Sequence, residues 1–407
     1  MSGTSLKLRR FCAFVIGVVF FVSGSFKLMD PIGTGLIVSE YYSFFHLGFL
    51  KLSAYFVGLT LSLVETFAGV MLMTGVLRRL SAITASVLIV VFTCITFILL
   101  IFNPSFDCGC FGRVLSLSHL QSFVKNIALL AFAVAAFIPF KGFGRPKRVK
   151  YVTSALILAA VLGITIHSVL FIPLIDFTDF RGSTLLAAAV EEDGGEDYVA
   201  TFVYEKNGRE GVFTLDKLPD STWTFVRSDV LKKTETGNKY FPHLSFTDAL
   251  GNYRDSIAAR GTVMVQSIYK VSSFTEAKWK KAYEYMSSAA RAGFTPLLLV
   301  AGDVPEGVIP RMLPVADTLG TENSTREYIY RCDYKTLLSL NRSNGGATYF
   351  NKGNLIEKWA WRALPSDSEL AKLQRKNATE TMMAASTKGR LVFQAFMLYS
   401  FILVLLF

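Results

Sequence analysis

A chain of 407 residues with 52% hydrophobic and 18% charged side chains is more apolar than a soluble domain, in which about 25% of residues are charged. The excess is concentrated in residues 11–173 and 391–407, in runs long enough to cross a hydrocarbon core of roughly 30 Å, which takes about 20 helical residues; a wholly soluble protein is excluded. The net charge of +11 does not indicate a nucleic-acid partner, because the basic residues of the first 150 positions sit in short segments beside the apolar runs.

The apolar runs predict membrane helices over about 11–29, 52–75, 80–102, 119–140, 151–173 and 391–407. Lys7, Arg9 and Arg10 precede the first, Arg78 and Arg79 separate the second from the third, and Lys141, Arg145, Lys147, Arg148 and Lys150 separate the fourth from the fifth. Positive-inside bias assigns these segments to the cytoplasm. The expected arrangement is a multi-pass protein of a bacterial inner membrane, with a cytoplasmic N-terminus and segments 30–51, 103–118 and 174–390 outside. The first run lacks a small-residue cleavage site and reads as a retained helix. Segment 30–51, with Gly33, Gly35, Tyr41, Tyr42, Phe44, Phe45 and His46, is too polar to span and is expected along the headgroup layer.

Residues 174–390 are numerous enough to form a core of their own. Strand patterns at 198–204 and 211–215 flank a turn at Asn207-Gly208. Beyond a turn at Gly251-Asn252 come a strand at 263–269, a helix at 275–292 and a strand at 296–301. A loop holding Pro305, Pro310 and Pro314 leads to a strand at 327–332, a helix at 334–341 and strands at 347–350 and 355–359. Strands alternating with helices predict an α/β domain. The last run, 391–407, is at the lower limit of length for a span, and an interfacial or partner-packed helix is its alternative.

The chemistry-bearing residues are few. Cys12 and Cys94 lie within apolar runs and Cys332 in a predicted strand, where a small buried hydrophobe is expected. Cys108 and Cys110 flank Gly109 in an outside loop. Thiols this close in an oxidising compartment tend to pair, and a ring closed over one residue is strained, a property of labile disulfides. The alternatives are a small structural staple and a metal site, which needs two more ligands such as His46 and His119, although neither histidine stands at a recognisable ligand spacing. Ser118-His119-Leu120-Gln121 has the form of a capping box. It directs the positive end of the fourth helix toward the cysteines, where it favours a thiolate. Glu65 in the middle of the second run and Lys27 at the end of the first are charges placed in lipid, where charge is costly. Lys27 or Lys125 is the expected partner of Glu65, which is a candidate proton relay or polar ligand anchor; Ser62, Thr66 and Gly69 near it offer the packing alternative.

From Ser23-Gly24-Ser25-Phe26-Lys27-Leu28-Met29-Asp30-Pro31, through Glu65, to Asp107-Cys108-Gly109-Cys110-Phe111-Gly112 and Lys125-Asn126, the chain resembles DoxX-like and MauE-like (methylamine utilisation) membrane proteins of the long Bacteroidetes type. The resemblance covers about residues 9–140. It implies a four-helix core and a redox-associated role of thiol-disulfide type, and a distant likeness to the vitamin K epoxide reductase core implies a quinone as electron acceptor. Residues 244–373 are similar to thioredoxin-like folds, with Phe246 to Asn252, Val263 to Tyr269 and Arg342 to Gly346 as the matching segments. Where that resemblance would place Cys-x-x-Cys the chain has Val271-Ser272-Ser273-Phe274, and Gly345 stands at the expected cis-proline position.

The expected organisation is therefore a membrane bundle (1–140), a basic loop with a fifth helix (141–173), an extracytoplasmic domain with a degenerate thioredoxin-like fold (174–390) and a hydrophobic C-terminal helix (391–407). The expected function is thiol-disulfide exchange through Cys108 and Cys110 with an extracytoplasmic protein partner, Glu65, Lys27 and Lys125 supporting it. A non-enzymatic membrane scaffold is the rival reading, and a lipid- or ligand-binding bundle a third.

Overall fold

The computed structural model describes residues 3–104, 106–113, 117–138, 146–192, 198–206, 209–214, 219, 223–232, 240–303 and 329–406. The expected turn at Asn207-Gly208, Lys141 and Arg145 of the basic loop, and the loop with Pro305, Pro310 and Pro314 lie outside them. The chain forms two compact units, one of residues 1–169, 173–175 and 390–407, the other of residues 170–172 and 176–389.

The first unit is helical: α1 (Gly3–Met29), α2 (Pro31–Phe44), a 3-10 turn (Gly48–Ser53), α3 (Ala54–Thr74), α4 (Arg78–Phe102), a short extended segment β1 (Cys110–Arg113), α5 (His119–Phe137) and α6 (Arg148–Leu170). Among the described residues five helical segments are long and apolar enough to cross a bilayer, namely Leu6–Met29, Gly48–Thr74, Arg78–Phe102, His119–Phe137 and Arg148–Leu170. The chain is a multi-pass membrane protein, and lipid is its environment.

Close packing of α1 on α3 organises the bundle. A Cβ on Gly69 would lie 2.5 Å from the Phe21 amide nitrogen, and one on Gly17 2.9 Å from the Gly69 carbonyl. Small residues thus let the two backbones touch, which is how apolar helices associate in lipid, where no hydrophobic force drives them together. Within segment 30–51, residues Pro31–Phe44 form α2 of this unit. This helix is started by Asp30, whose side chain accepts from the Gly33 amide, and by proline at its first position. Gly35 sits against the Tyr55 backbone, so α2 packs on α3. The C-terminal run also belongs to this unit: Phe396 and Phe401 stack on Phe21 at 5.9 and 6.1 Å, beside Ile157 and Val161 of α6.

The second unit begins with α7 (Ala187–Glu192) and a four-stranded antiparallel sheet of β2 (Tyr198–Lys206), β3 (Arg209–Thr214), β4 (Thr224–Lys232) and β5 (Tyr240–Phe241), in order β3-β2-β4-β5. After a short α8 (Ser256–Ala259) come β6 (Thr262–Ile268), α9 (Glu276–Arg291), β7 (Thr295–Val300), β8 (Ile329–Arg331), α10 (Tyr334–Leu340), β9 (Ala347–Asn351), β10 (Asn354–Trp359), α11 (Asp367–Arg375) and α12 (Ala378–Leu406), whose last 17 residues form the C-terminal run of the bundle. The five-stranded sheet has order β10-β9-β6-β7-β8, with β6, β7 and β8 parallel and β9 and β10 antiparallel. Alternation along β6 sends Val263 and Val265 to a core shared with Leu337 and Leu340 of α10, and Met264 to one shared with Met286 of α9 and Leu370 of α11. Both faces are covered, which explains why the strand reads as continuously apolar.

Candidate functional site

The loop between α4 and α5 turns sharply because two glycines permit it. Gly109 and Gly112 have φ of +62° and +63°, the left-handed region that glycine adopts without a Cβ penalty. At Gly109 the approach of α2 imposes a second demand, since a Cβ there would lie 2.6 Å from Ile37. The turn brings the sulfurs of Cys108 and Cys110 to 3.1 Å without a bond between them; Cys108 is buried and Cys110 half-buried. Helices anchor the loop through its carbonyls. Tyr41 of α2 donates to the Cys108 carbonyl at 2.6 Å, and Ser23 of α1 donates to the Cys110 carbonyl at 2.5 Å. The Tyr41 hydroxyl also stands 3.8 Å from the Cys108 sulfur.

All five residues singled out in the sequence line one cavity of about 260 Å³: Cys108, Cys110, Glu65, Lys27 and Lys125, together with Tyr41. Lys27 Nζ donates to Glu65 Oε2 at 2.7 Å, both side chains being buried. This pairing answers the cost of a carboxylate inside an apolar bundle. It also decides between the two expected partners, for Lys125 lies over the Phe111 ring at 5.2 Å and Lys27 takes the carboxylate. Asn126 donates to Thr96 at 3.1 Å, and both line the same space. The remaining wall is largely aliphatic and aromatic, with Phe20, Leu61, Ile89 and Phe92 among its members.

The electrostatics divide the cysteines. The Cys108 thiol hydrogen-bonds Cys110 and pulls its pKa down to about 5; burial opposes this, and the charges of Lys125 and Lys27 reinforce it. Cys108 is held well above the ordinary thiol range by that same hydrogen bond and by burial. Burial, and then the neighbouring Cys108, also keep Tyr41 protonated and therefore a donor. The capping box is present: Ser118 accepts from the Gln121 amide and Gln121 Oε1 accepts from the Ser118 amide, at 3.2 and 3.0 Å. Two cysteines of unequal acidity, in an apolar chamber with a buried ion pair, form an arrangement able to exchange disulfides or to pass two electrons and two protons.

Sequence reasoning named Tyr41 and Ser23 but gave them no part in the site. The signal for α2 was there: Thr34, Ile37, Val38, Tyr41 and Phe45 recur at helical spacing and all face the cavity. For Ser23, whose contact is 87 residues away in the chain, no local signal exists. The other cysteines lie elsewhere. Cys12 is in the bundle core and Cys94 is exposed on α4. Cys332 is in the core of the second unit, its thiol donating to the Leu244 carbonyl at 3.1 Å and its pKa pushed far up by burial and by Asp255.

In the second unit, Val271–Ser273 forms a 3-10 turn entering α9. Asn344 ties it down, accepting from the Tyr269 and Lys270 amides and donating to the Lys270 carbonyl and Ser273 hydroxyl, all within 3.0 Å. Gly345 adjoins the same turn: a Cβ there would lie 2.6 Å from Phe274. Its φ of +85° is one that proline, locked near −65°, does not reach.

Residues 5–139 match the family model described as methylamine utilisation protein MauE, and residues 198–233 match that of a domain of unknown function, DUF8463. The first match covers α1 to α5 and the whole cavity lining; the second covers β2 to β4. No curated protein and no solved structure matches the chain. The helical part is thus similar to MauE, a likeness consistent with a redox-associated role in a membrane.

Proposed function

We propose that this chain is a membrane thiol-disulfide protein in which Cys110 attacks and Cys108 resolves, exchanging electrons with an extracytoplasmic protein. The observation that carries this reading is the meeting of a low-pKa thiol, its partner thiol and a buried lysine-glutamate pair in one apolar cavity. In the forward step the Cys110 thiolate attacks a disulfide of the partner, forming a mixed disulfide and releasing one partner thiolate. Cys108 then gives its proton to the released partner thiolate and attacks the Cys110 sulfur, which releases the second partner thiolate to take a proton from water. The partner disulfide is reduced to a dithiol, and the Cys108 and Cys110 thiols are oxidised to a disulfide, two electrons having moved. Run in reverse, the same steps oxidise a partner dithiol. Lys27 and Lys125 hold the thiolate, and Glu65 keeps Lys27 charged and in place.

A quinone is the membrane-soluble acceptor suggested for this cavity; when bound, it supplies a two-electron, two-proton sink. The residues fit such a group: the walls are apolar, the volume of about 260 Å³ suits a substituted ring, and Lys27, Tyr41 and Asn126 offer donors. The second unit is read as a degenerate thioredoxin-like domain over about 244–373, a reading supported by its strand order and by the adjacency of Phe274 and Gly345. Without a cysteine at Val271 or Phe274 its role is to dock the partner. The domain division at 140, 173 and 390, an inner-membrane location and an extracytoplasmic second unit complete the proposal, supported by the basic-loop pattern.

Trapping decides it. Cys108→Ser leaves the attacking thiol without its resolver and is expected to accumulate a mixed disulfide of higher mass on non-reducing gels, absent in the double serine variant. No adduct, together with normal cell function of the double serine variant, would leave the scaffold reading in its place.

A further inference from the structure

A second cavity, of about 540 Å³, opens among the opposite ends of the same helices. Arg9 lines it and Lys27 lines the first; they stand 18 residues apart on α1, roughly 27 Å along the axis. Its charged lining is of one sign. Arg9, Arg10, Arg78, Lys147 and Lys150 contribute, from α1, α4, α6 and the residue before α6, and no acidic residue does. The chain has no Asp or Glu in residues 1–29, 66–106 or 108–175, so α1, α4, α5 and α6 carry none.

Two of the cations are held by the fold. Arg9 is buried, its Nε donating to the Ala136 carbonyl at 3.0 Å. The Arg78 guanidinium lies so close over Gly75 that a Cβ there would come within 2.5 Å of it. Gathering like charges in a partly desolvated space is unfavourable unless an anion joins them. Basic loops that serve only to orient a membrane protein face water; here Arg9 is buried and Arg78 and Lys150 are half-buried at a cavity between helices, with Arg10 and Lys147 at its exposed rim. Phe14, Met73 and Phe137 make an apolar wall to it.

We propose that this cavity is a binding site for a phosphate-ester anion, with the headgroup of an anionic phospholipid as its ligand. The arginine forks match two phosphate oxygens each, the lysines add point charge, and the apolar wall takes the start of an acyl chain. Basic pockets between transmembrane helices bind lipid phosphates by this chemistry. The site is separate from the thiol pair, so the two readings stand or fall independently.

The experiment uses the full chain in detergent, challenged with phosphatidylglycerol, with phosphatidylcholine or with inorganic phosphate. Retained lipid is read by native mass spectrometry and stability by thermal unfolding. Phosphatidylglycerol is expected to be retained and to raise the melting temperature, and phosphatidylcholine to do neither. The Lys147→Gln, Lys150→Gln double variant, altered at the surface end of the site, should melt no lower than wild type without lipid and bind phosphatidylglycerol roughly thirty-fold more weakly. Arg10→Gln with Arg78→Gln should bind more weakly still; if that protein does not fold, the lysine variant decides alone. Protection by inorganic phosphate equal to that by phosphatidylglycerol would support the anion site and assign it to a soluble phosphate. Equal retention of both lipids by wild type, or unchanged phosphatidylglycerol binding by the lysine variant, would overturn the proposal.

Discussion

Cys110 and Glu65 carry the sharpest residue-level expectations. A thiol with a pKa of about 5 is a thiolate throughout the neutral range, so its alkylation rate should be flat from pH 8 to pH 6 and fall only as the pH drops through about 5. Peptide mapping after brief alkylation at pH 6 should find Cys110 modified and Cys108 not. A Cys110 rate that instead climbs toward an ordinary midpoint of about 8.5 would mean that the lysines and Cys108 do not stabilise the charge. At Glu65 the buried pair makes the choice of substitution informative. Glu65→Leu leaves Lys27 buried without its counter-ion, a change that costs roughly 3–5 kcal/mol where measured in protein interiors, whereas Glu65→Gln retains an acceptor. The expected ranking of detergent melting temperatures is wild type, Gln, then Leu, with Lys27→Met restoring the Leu variant. Cells should show slowed thiol cycling with Gln; wild-type cycling in both single variants would remove Glu65 from the site.

At the scale of elements, the meeting of α1 with α3 sets the geometry on which the site depends, because it brings Lys27 to Glu65. With the Gly69 position 2.5 Å from the Phe21 amide nitrogen, any side chain must push the helices apart. Overpacking of this kind costs about 1–3 kcal/mol. Gly69→Val is therefore expected to lower the melting temperature and also to separate the ion pair one helical turn away, giving a loss of function larger than the loss of stability. A Gly163→Val change on α6, where a Cβ meets nothing within 4 Å, is the control and should be silent. The glycines were visible in the sequence, but which of them face a neighbouring backbone was not, since both have the same apolar surroundings in the chain.

For the whole molecule the central expectation is that its two units differ in kind. The second has two-sided cores around a mixed sheet, and a fragment of residues 176–386 should fold alone, with a cooperative thermal transition. It should neither reduce nor oxidise model disulfides, because its one cysteine, Cys332, is buried and held as a thiol and the turn at Val271–Ser273 has no sulfur. Turnover by the fragment would assign redox chemistry to Cys332 and remove the reason for placing exchange in the bundle. Motif positions suggested a thioredoxin-like domain, and the mixed five-stranded sheet is compatible with an α/β domain. The presence of β4, β5 and α11 went unread, because β4 is short of apolar alternation and α11 is predominantly polar with a single buried leucine, Leu370.

By itself the sequence determined that the chain enters a membrane, where most of its helices begin and end, and which ionisable and sulfur-bearing residues are out of place in lipid. Those are consequences of run length, charge and residue type, properties that a linear reading contains. Only the tertiary structure decided that Lys27 and not Lys125 meets Glu65, that Tyr41 of α2 holds the Cys108 carbonyl, and that both cysteines share one cavity with that ion pair. Each of these depends on contacts between residues tens of positions apart, and helix rotation and approach are set by packing against other helices, which no local pattern encodes.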